Sequence, residues 1–308
     1  MTYDAIVVGG GAAALTSALY LGRYNVETLL LTDMFGGQTA IAGTIENYPG
    51  FDEINGSELI GKMKQKVESL ETVTILAQEK VVKVESATGL FKVTTAKGEY
   101  EGKTVLIAAG KRHRELGIED EESLIGKGLS YCATCDGTFA KDKDVAVIGG
   151  GYAATEAVLI LEKLSRSVTL VNIGQELSGE TVTLEKIGTS SKIKILKNAE
   201  TKEISTTENV VSGVKYLDKQ TNETKTLPVQ MVFVEIGQVP NSEEFKGLVD
   251  LNETGEIITN GKTCQTSTAG IYAAGDITDT PAKQTIVACG EGAKAAIAIN
   301  QYLHKNIS

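Results

Sequence analysis

The chain has 308 residues, enough for two domains at roughly 100–200 residues each, and its 42% hydrophobic and 23% charged content is that of a folded globular protein. A net charge of −10 with no basic stripe argues against general nucleic-acid binding. No apolar run approaches the roughly 18 residues of a membrane span, and Met1-Thr2-Tyr3-Asp4 leads straight into a strand without a leader pattern, so a cytoplasmic, reducing location is expected.

In chain order, an apolar strand from Asp4 to Val8 enters Gly9-Gly10-Gly11, and helix-spaced apolar positions follow to Tyr20. A second strand, Thr28–Leu31, ends in Thr32-Asp33. Ile41–Phe51 reads as a turn-rich loop. Val81–Thr95 and Gly98–Ile107 alternate as strands that end in Ala108-Ala109-Gly110. Ser130–Gly137 holds a Cys-X-X-Cys pair. From Asp144 the opening pattern repeats at an offset of 140: strand, Gly149-Gly150-Gly151, helix, and a strand over Val168–Val171. Strands are then expected at Val210–Tyr216, Gln230–Glu235 and Gly255–Thr259. Ile271–Asp276 is a further strand entering a glycine turn, and a final helix spans roughly Ile286–Leu303, with small residues at Ala288, Gly290, Gly292, Ala293 and Ala295.

Both copies read G-X-G-X-X-A: Gly9, Gly11 and Ala14, then Gly149, Gly151 and Ala154. The first glycine permits a tight turn and the second lets the backbone approach a pyrophosphate. The small third residue packs helix on strand, and the helix N-terminus faces the negative charge. The expected fold class is therefore α/β, with two Rossmann-like, three-layer dinucleotide-binding domains. Asp33 ends the second strand of the first copy and can meet ribose hydroxyls. The corresponding stretch of the second copy, Val171-Asn172-Ile173-Gly174, offers no acid, and no cation stands between Arg166 and Lys186 to meet a 2′-phosphate.

Cys132 and Cys135 admit three readings. Structural zinc needs four ligands, and neither a second pair nor a histidine pattern involving His113 and His304 supplies them, so no metal is expected. A buried inert pair is the second reading. The third is thiol–disulfide exchange, in which one thiolate attacks a substrate disulfide and the other resolves the mixed disulfide. Asp136 next door is a candidate acid as well as a turn residue, and a flavin is a natural source of electrons for such a pair. Cys264 and Cys289 stand alone and read as core residues.

Taken together, the first fingerprint, Gly36-Gly37-Gln38, Glu46–Gly50, Ala109-Gly110, the 132–137 block Cys-Ala-Thr-Cys-Asp-Gly, the second fingerprint, Ile236–Asn241 and Tyr272–Asp276 resemble the low-molecular-weight thioredoxin reductases over essentially the whole chain. That resemblance implies an FAD domain split over 1–112 plus 244–308. Inserted into it, a pyridine-nucleotide-type domain at 113–243 carries the cysteine pair. It implies FAD against Gly9, Gly11, Ala14, Asp33, Gly37, Gln38, Asn47, Gly110, Gly275, Asp276 and Gln284. It further implies Cys135 as the flavin-facing thiol, Cys132 as the thiol that attacks thioredoxin, Asp136 as the acid, and a homodimer.

The second domain departs from the NADPH-using pattern. Tyr152, Ala153, Ala154, Thr155, Glu156 and Ala157 stand where Asp-Ser-Ala and paired glutamates are usual, and Asn172–Leu177 stands where His-Arg-Arg is usual. NADPH is therefore doubtful, and the chain resembles the divergent reductases that take electrons from reduced ferredoxin. An acidic ferredoxin needs a local basic face, for which Lys111–Arg114 and Lys62/Lys64/Lys66 are the candidates. The alternatives are an NADPH- or NADH-dependent thioredoxin reductase, or a flavin-bearing redox sensor.

Overall fold

The computed structural model describes residues 2–41 and 44–305. Met1, residues 306–308, and Ala42 and Gly43 of the expected 41–51 loop lie outside the described residues. The chain divides into two compact units, Met1–Arg112 with Val239–Ser308, and His113–Gln238.

The first stretch forms β1 (Thr2–Val8), α1 (Ala12–Arg23), β2 (Thr28–Thr32), α2 (Gly37–Ile41), β3 (Thr44–Ile45), β4 (Ile54–Asn55), α3 (Gly56–Glu68), β5 (Val73–Ala77), β6 (Val81–Ala87), β7 (Leu90–Thr95) and β8 (Glu99–Ile107). The inserted stretch begins within β9 (Lys111–His113) and continues through β10 (Leu129–Ser130), α4 (Ala133–Asp136), β11 (Asp144–Ile148), α5 (Tyr152–Glu162), β12 (Ser167–Val171), α6 (Thr181–Thr189) and β13 (Ile193–Leu196). After β14 (Ala199–Thr207), β15 (Val210–Asp218), β16 (Glu223–Pro228) and β17 (Met231–Val234), the chain returns through β18 (Gln238–Pro240) to β19 (Ile271–Ala273) and α7 (Thr285–Lys305).

In the first unit a seven-stranded sheet runs β5-β2-β1-β8-β7-β6, with β19 also paired to β8. The first half of β8 takes β7 antiparallel and its last three residues take β19 parallel, in register Val105 to Ile271. β1 lies parallel between β2 and β8, so its residues Ile6 to Val8 are buried on both faces. Ala13, Leu15, Leu21 and Leu30 join Ala295, Ile299 and Leu303 of α7 in one core cluster. Helices α1 and α7 pack closely because α7 has glycine where they meet: a Cβ on Gly292 would lie 2.3 Å from the carbonyl oxygen of Ala13.

The second unit repeats the plan with a five-stranded parallel sheet, β10-β17-β11-β12-β13, and adds an antiparallel sheet of β14, β15 and β16. The fold is α/β, as the doubled strand–turn–helix pattern predicts. One expected strand is absent: Gly255–Thr259 makes only bridges, Ile257 to Leu251 and to Thr278. Its chain is turned instead by Asn252, whose side-chain oxygen accepts from the amides of Thr254 and Glu256. The return into the first unit falls at 238/239 rather than after 243. Asn241 explains this, since it donates from its amide to Gly110 O and from its side chain to Ala109 O.

Candidate functional site

The first fingerprint turn sits at the C-terminal end of β1, between β2 and β8. Gly9 has φ +127°, and a Cβ there would lie 2.3 Å from the Ala108 carbonyl oxygen. Gly11 caps α1 without a side-chain bond, leaving the first amides of a 12-residue helix to face outward. Gly36 donates to Gly10 O and brings Gly37 beside Gly11. Apart from their own chain neighbours, no atom of the described residues stands closer than 3.9 Å to a Cβ built on Gly11, Gly37 or Gly110, so these three border open space. Ala14 is fully buried and acts in helix–strand packing. Asp33 is exposed at the end of β2, its carbonyl accepting from Gln78 N.

The other expected cofactor residues gather along the same unit. Gln38 donates to Lys111 O, and Asn47 donates to the Gln284 side chain at 3.1 Å. Gly275, with φ +82°, lies within 3.0 Å of Ala13 Cβ for a built Cβ. Burial raises the Asp276 carboxyl above its ordinary value, opposed by Lys283 and Lys111. Sequence reasoning misses what holds this turn: Glu291, buried on α7, accepts from Gly275 N at 2.8 Å and from the hydroxyls of Thr278 and Thr280. Gly292 and the small residues around it gave no sign of a carboxylate anchored between them. Cys264 and Cys289 are buried, and Cys289 Sγ lies 3.7 Å from the Tyr48 hydroxyl.

In the second unit Cys132 and Cys135 form a disulfide across the start of α4, with Cα atoms 5.4 Å apart. Ser130, at the end of β10, organises the turn. Its hydroxyl donates to Asp136 Oδ2 at 2.7 Å and accepts from Cys132 N at 3.0 Å. Asp136 is thereby tied to the strand that precedes the pair. Among the described residues no group of three or more His, Cys, Asp or Glu is placed to hold a metal ion. No helix there is long and apolar enough to cross a membrane.

Glu235 follows β17 directly, and its backbone carbonyl lies 2.3 Å from where a Gly149 Cβ would be. Its Oε1 accepts from Ala133 N at 3.4 Å. Burial raises its carboxyl to about 7, the Ala133 amide working against this and Glu156 adding to it. Nothing in the sequence patterning separated this acid from the apolar strand it ends.

The second fingerprint differs at its recognition end. Built Cβ atoms on Gly10 and Gly150 meet Thr32 Oγ1 and Asn172 Oδ1 respectively, which makes Thr32 and Asn172 counterparts. The residue in the place of Asp33 is therefore Ile173, 57% exposed, rather than Asn172. Asn172 is buried and turned inward, donating to Glu176 O at 2.8 Å and accepting from Gly174 N at 3.2 Å. Arg166 pairs with Asp144.

The two basic stretches expected to face an acidic partner are largely neutralised. Lys62 pairs with Glu58, Lys64 with Glu68, Lys111 with Glu256 and Arg112 with Glu243. Burial lowers the His113 imidazole below its ordinary value, so it adds little charge at neutral pH. Glu256 also meets Lys283 at 3.1 Å. Burial pushes its carboxyl up, but Lys111, Asn252 and Lys283 outweigh that and hold it at about 2, below the ordinary 4.5. A depressed carboxyl stabilises the fold fully above its unfolded value, and that contribution is lost as pH falls from 4.5 toward 2. Glu256→Gln strands two half-buried lysines and is expected to cost about 2 kcal/mol at neutral pH. Thermal melts between those limits should show a flatter acid limb in the variant.

Two dinucleotide-type units, one bearing a disulfide beside an acid, define a disulfide oxidoreductase framework. A profile of the pyridine nucleotide-disulphide oxidoreductases matches residues 3–292, and the chain belongs to that family. FAD is the cofactor of this family, and the uncapped α1 N-terminus with open Gly11 and Gly37 fits its pyrophosphate. The chain is 37% identical over 305 residues to alkyl hydroperoxide reductase F of Staphylococcus aureus strain MRSA252, covering 99% of this chain and 60% of that protein. It is 35% identical to a Bacillus subtilis NADH dehydrogenase, covering 99% and 59%. It thus spans about three-fifths of the length of these curated relatives. Thioredoxin reductase of Lactococcus lactis superposes with a TM-score of 0.84 at 32% identity, covering 98% of this chain and 99% of that one.

Proposed function

We propose that the chain is an FAD-dependent reductase of thioredoxin-like protein disulfides, with reduced ferredoxin as electron donor. The observation that carries the disulfide chemistry is the Cys132–Cys135 bond with Asp136 held beside it by Ser130. FAD, when bound, supplies the two electrons that open this disulfide. Gly9, Gly11, Gly37, Gly110, Gly275 and Asp276 would line it, with Asp33 toward the ribose and Gln38, Asn47 and Gln284 closing the remaining edge. Cys132 attacks the partner's disulfide, Cys135 resolves the mixed disulfide by attacking Cys132, and Asp136 protonates the departing thiolate. The reading implies a homodimer and a cytoplasmic location.

The choice of donor is supported by the inward-turned Asn172, the exposed Ile173 and the cation-free stretch 167–185. Charge-assisted bonds to a 2′-phosphate contribute on the order of 1.5–3 kcal/mol each. Without two or three of them NADPH binding weakens by several orders of magnitude, at roughly tenfold per 1.4 kcal/mol. A second reading, pyridine nucleotide as donor, is favoured by the names of the relatives, one of them an NADH dehydrogenase. The neutralised basic stretches also give a ferredoxin no evident landing face. Anaerobic titration of the flavin separates the two. Reduced ferredoxin is expected to bleach it stoichiometrically, whereas NADPH and NADH at low-micromolar concentration leave it oxidised. Bleaching by either nucleotide under those conditions overturns the ferredoxin assignment and leaves the dithiol chemistry in place.

A further inference from the structure

Glu235 occupies a position the disulfide chemistry does not use. It stands at the C-terminal edge of the five-stranded sheet, against the second fingerprint turn, and its carboxyl meets the amide of Ala133. That amide belongs to the first of the two residues between the cysteines and is bonded to the carbonyl carbon of Cys132. The charge that acts on the carboxyl is not cationic. Glu156 of α5 adds a like charge, and Asp136 of α4 is already bonded to Ser130. The groups that act on the Glu235 carboxyl, the Ala133 amide and Glu156, include no lysine or arginine.

We propose that Glu235 is a positioning residue for the Cys132–Cys135 pair, holding the turn through Ala133 and setting by its own charge how readily the reduced pair yields a thiolate. The proposal rests on the reading of that pair as a redox dithiol. The physical chain is short. A carboxylate beside a thiol disfavours the thiolate, whereas a neutral carboxyl does not. Because burial and Glu156 bring this carboxyl to about 7, it changes state across the range in which a cysteine pair works. Reactivity therefore climbs with pH as the thiol ionises, is checked near neutrality as Glu235 ionises, and climbs again, in the manner of coupled titrating sites.

The test uses the full chain with FAD, reduced by dithiothreitol, freed of excess reductant and alkylated anaerobically with iodoacetamide across about pH 5 to 9. Peptide mass spectrometry reads each cysteine separately, with buried Cys264 and Cys289 as internal controls. In the unmutated protein the logarithm of the Cys132 rate is expected to show a shoulder near neutrality. Glu235→Gln keeps an acceptor for Ala133 N, so its profile should lose the shoulder and run about 3- to 10-fold faster at pH 8. Glu235→Ala should lose the shoulder too. Coincident profiles for the unmutated protein and Glu235→Gln overturn the proposal, as does a uniform change confined to Glu235→Ala, which is packing alone. Should neither variant fold, a single inflection in the unmutated protein overturns it as well. Failure of thioredoxin turnover in the unmutated protein would instead strike the functional reading, and this profile does not depend on it.

Discussion

Cys132→Ser and Cys135→Ser are each expected to lower thioredoxin reduction by about a thousandfold or more, at the level of losing an essential nucleophile. The two cysteines lie across one short helical start, Cα atoms 5.4 Å apart, and each has a duty the other cannot take over. Without Cys132 there is no attack on the partner. Without Cys135 the attack proceeds and stops, because a serine hydroxyl at neutral pH is too weakly ionised to open the mixed disulfide. Cys135→Ser should therefore accumulate a covalent complex with a thioredoxin whose own resolving cysteine has been removed and whose remaining cysteine is loaded as a mixed disulfide with thionitrobenzoate, which departs as Cys132 attacks. The complex is released by dithiothreitol and visible on a non-reducing gel. Cys132→Ser should form none. Turnover is measured with dithionite as electron source, so that the result does not depend on the natural donor. Retention of a tenth of the activity by either variant is incompatible with the exchange mechanism.

The parts of this architecture that were legible in the sequence are those written in local pattern. The two copies of strand, glycine turn and helix at an offset of 140 became β1-α1-β2 and β11-α5-β12, with parallel pairing in both. Backbone geometry there admits few residues other than glycine, so the signal survives divergence. The strand expected at Gly255–Thr259 failed because alternation does not reveal whether a neighbouring strand exists to pair with. Here Asn252 turns the chain, and Ile257 alone makes bridges. Side-chain direction was equally hidden. The stretch 171–174 does not reveal that Asn172 folds onto Gly174 and Glu176 and leaves Ile173 in the place of Asp33. Lys111 and Arg112 looked like a surface for an acidic partner because their carboxylates, Glu256 at a separation of 145 residues and Glu243 at 131, are remote in sequence, whereas Glu58 and Glu68 lie one helical turn from Lys62 and Lys64. Glu291 and Glu235 escaped notice for the same reason: what each touches is set by tertiary structure.

The first glycine of each fingerprint gives the second large effect, and the two together separate cofactor binding from folding. Gly9→Ala asks an L side chain to adopt φ +127° and to place its Cβ 2.3 Å from the Ala108 carbonyl oxygen, which belongs to backbone continuing directly from β8 and cannot rotate away. Strain of this kind costs about 1–3 kcal/mol, and the clash adds to it. The turn must shift, and Gly11 and the α1 amides shift with it, so the purified variant should be largely colourless, with flavin absorbance per protein reduced by about tenfold or more. Gly149→Ala meets the same obstacle in the second unit, at φ +146° with Glu235 O 2.3 Å away. It should lower the melting temperature by several degrees and leave flavin content unchanged. Gly61→Ala is the control: it lies within α3, where beyond its own helix backbone no atom of the described residues comes within 4 Å of the new Cβ, and alanine there should stabilise by about 0.5–1 kcal/mol. Equal flavin loss in Gly9→Ala and Gly149→Ala would mean that the effect is unfolding, and the assignment of FAD to the first fingerprint would fall. Loss confined to Gly9→Ala ties the cofactor to the turn between β1 and α1.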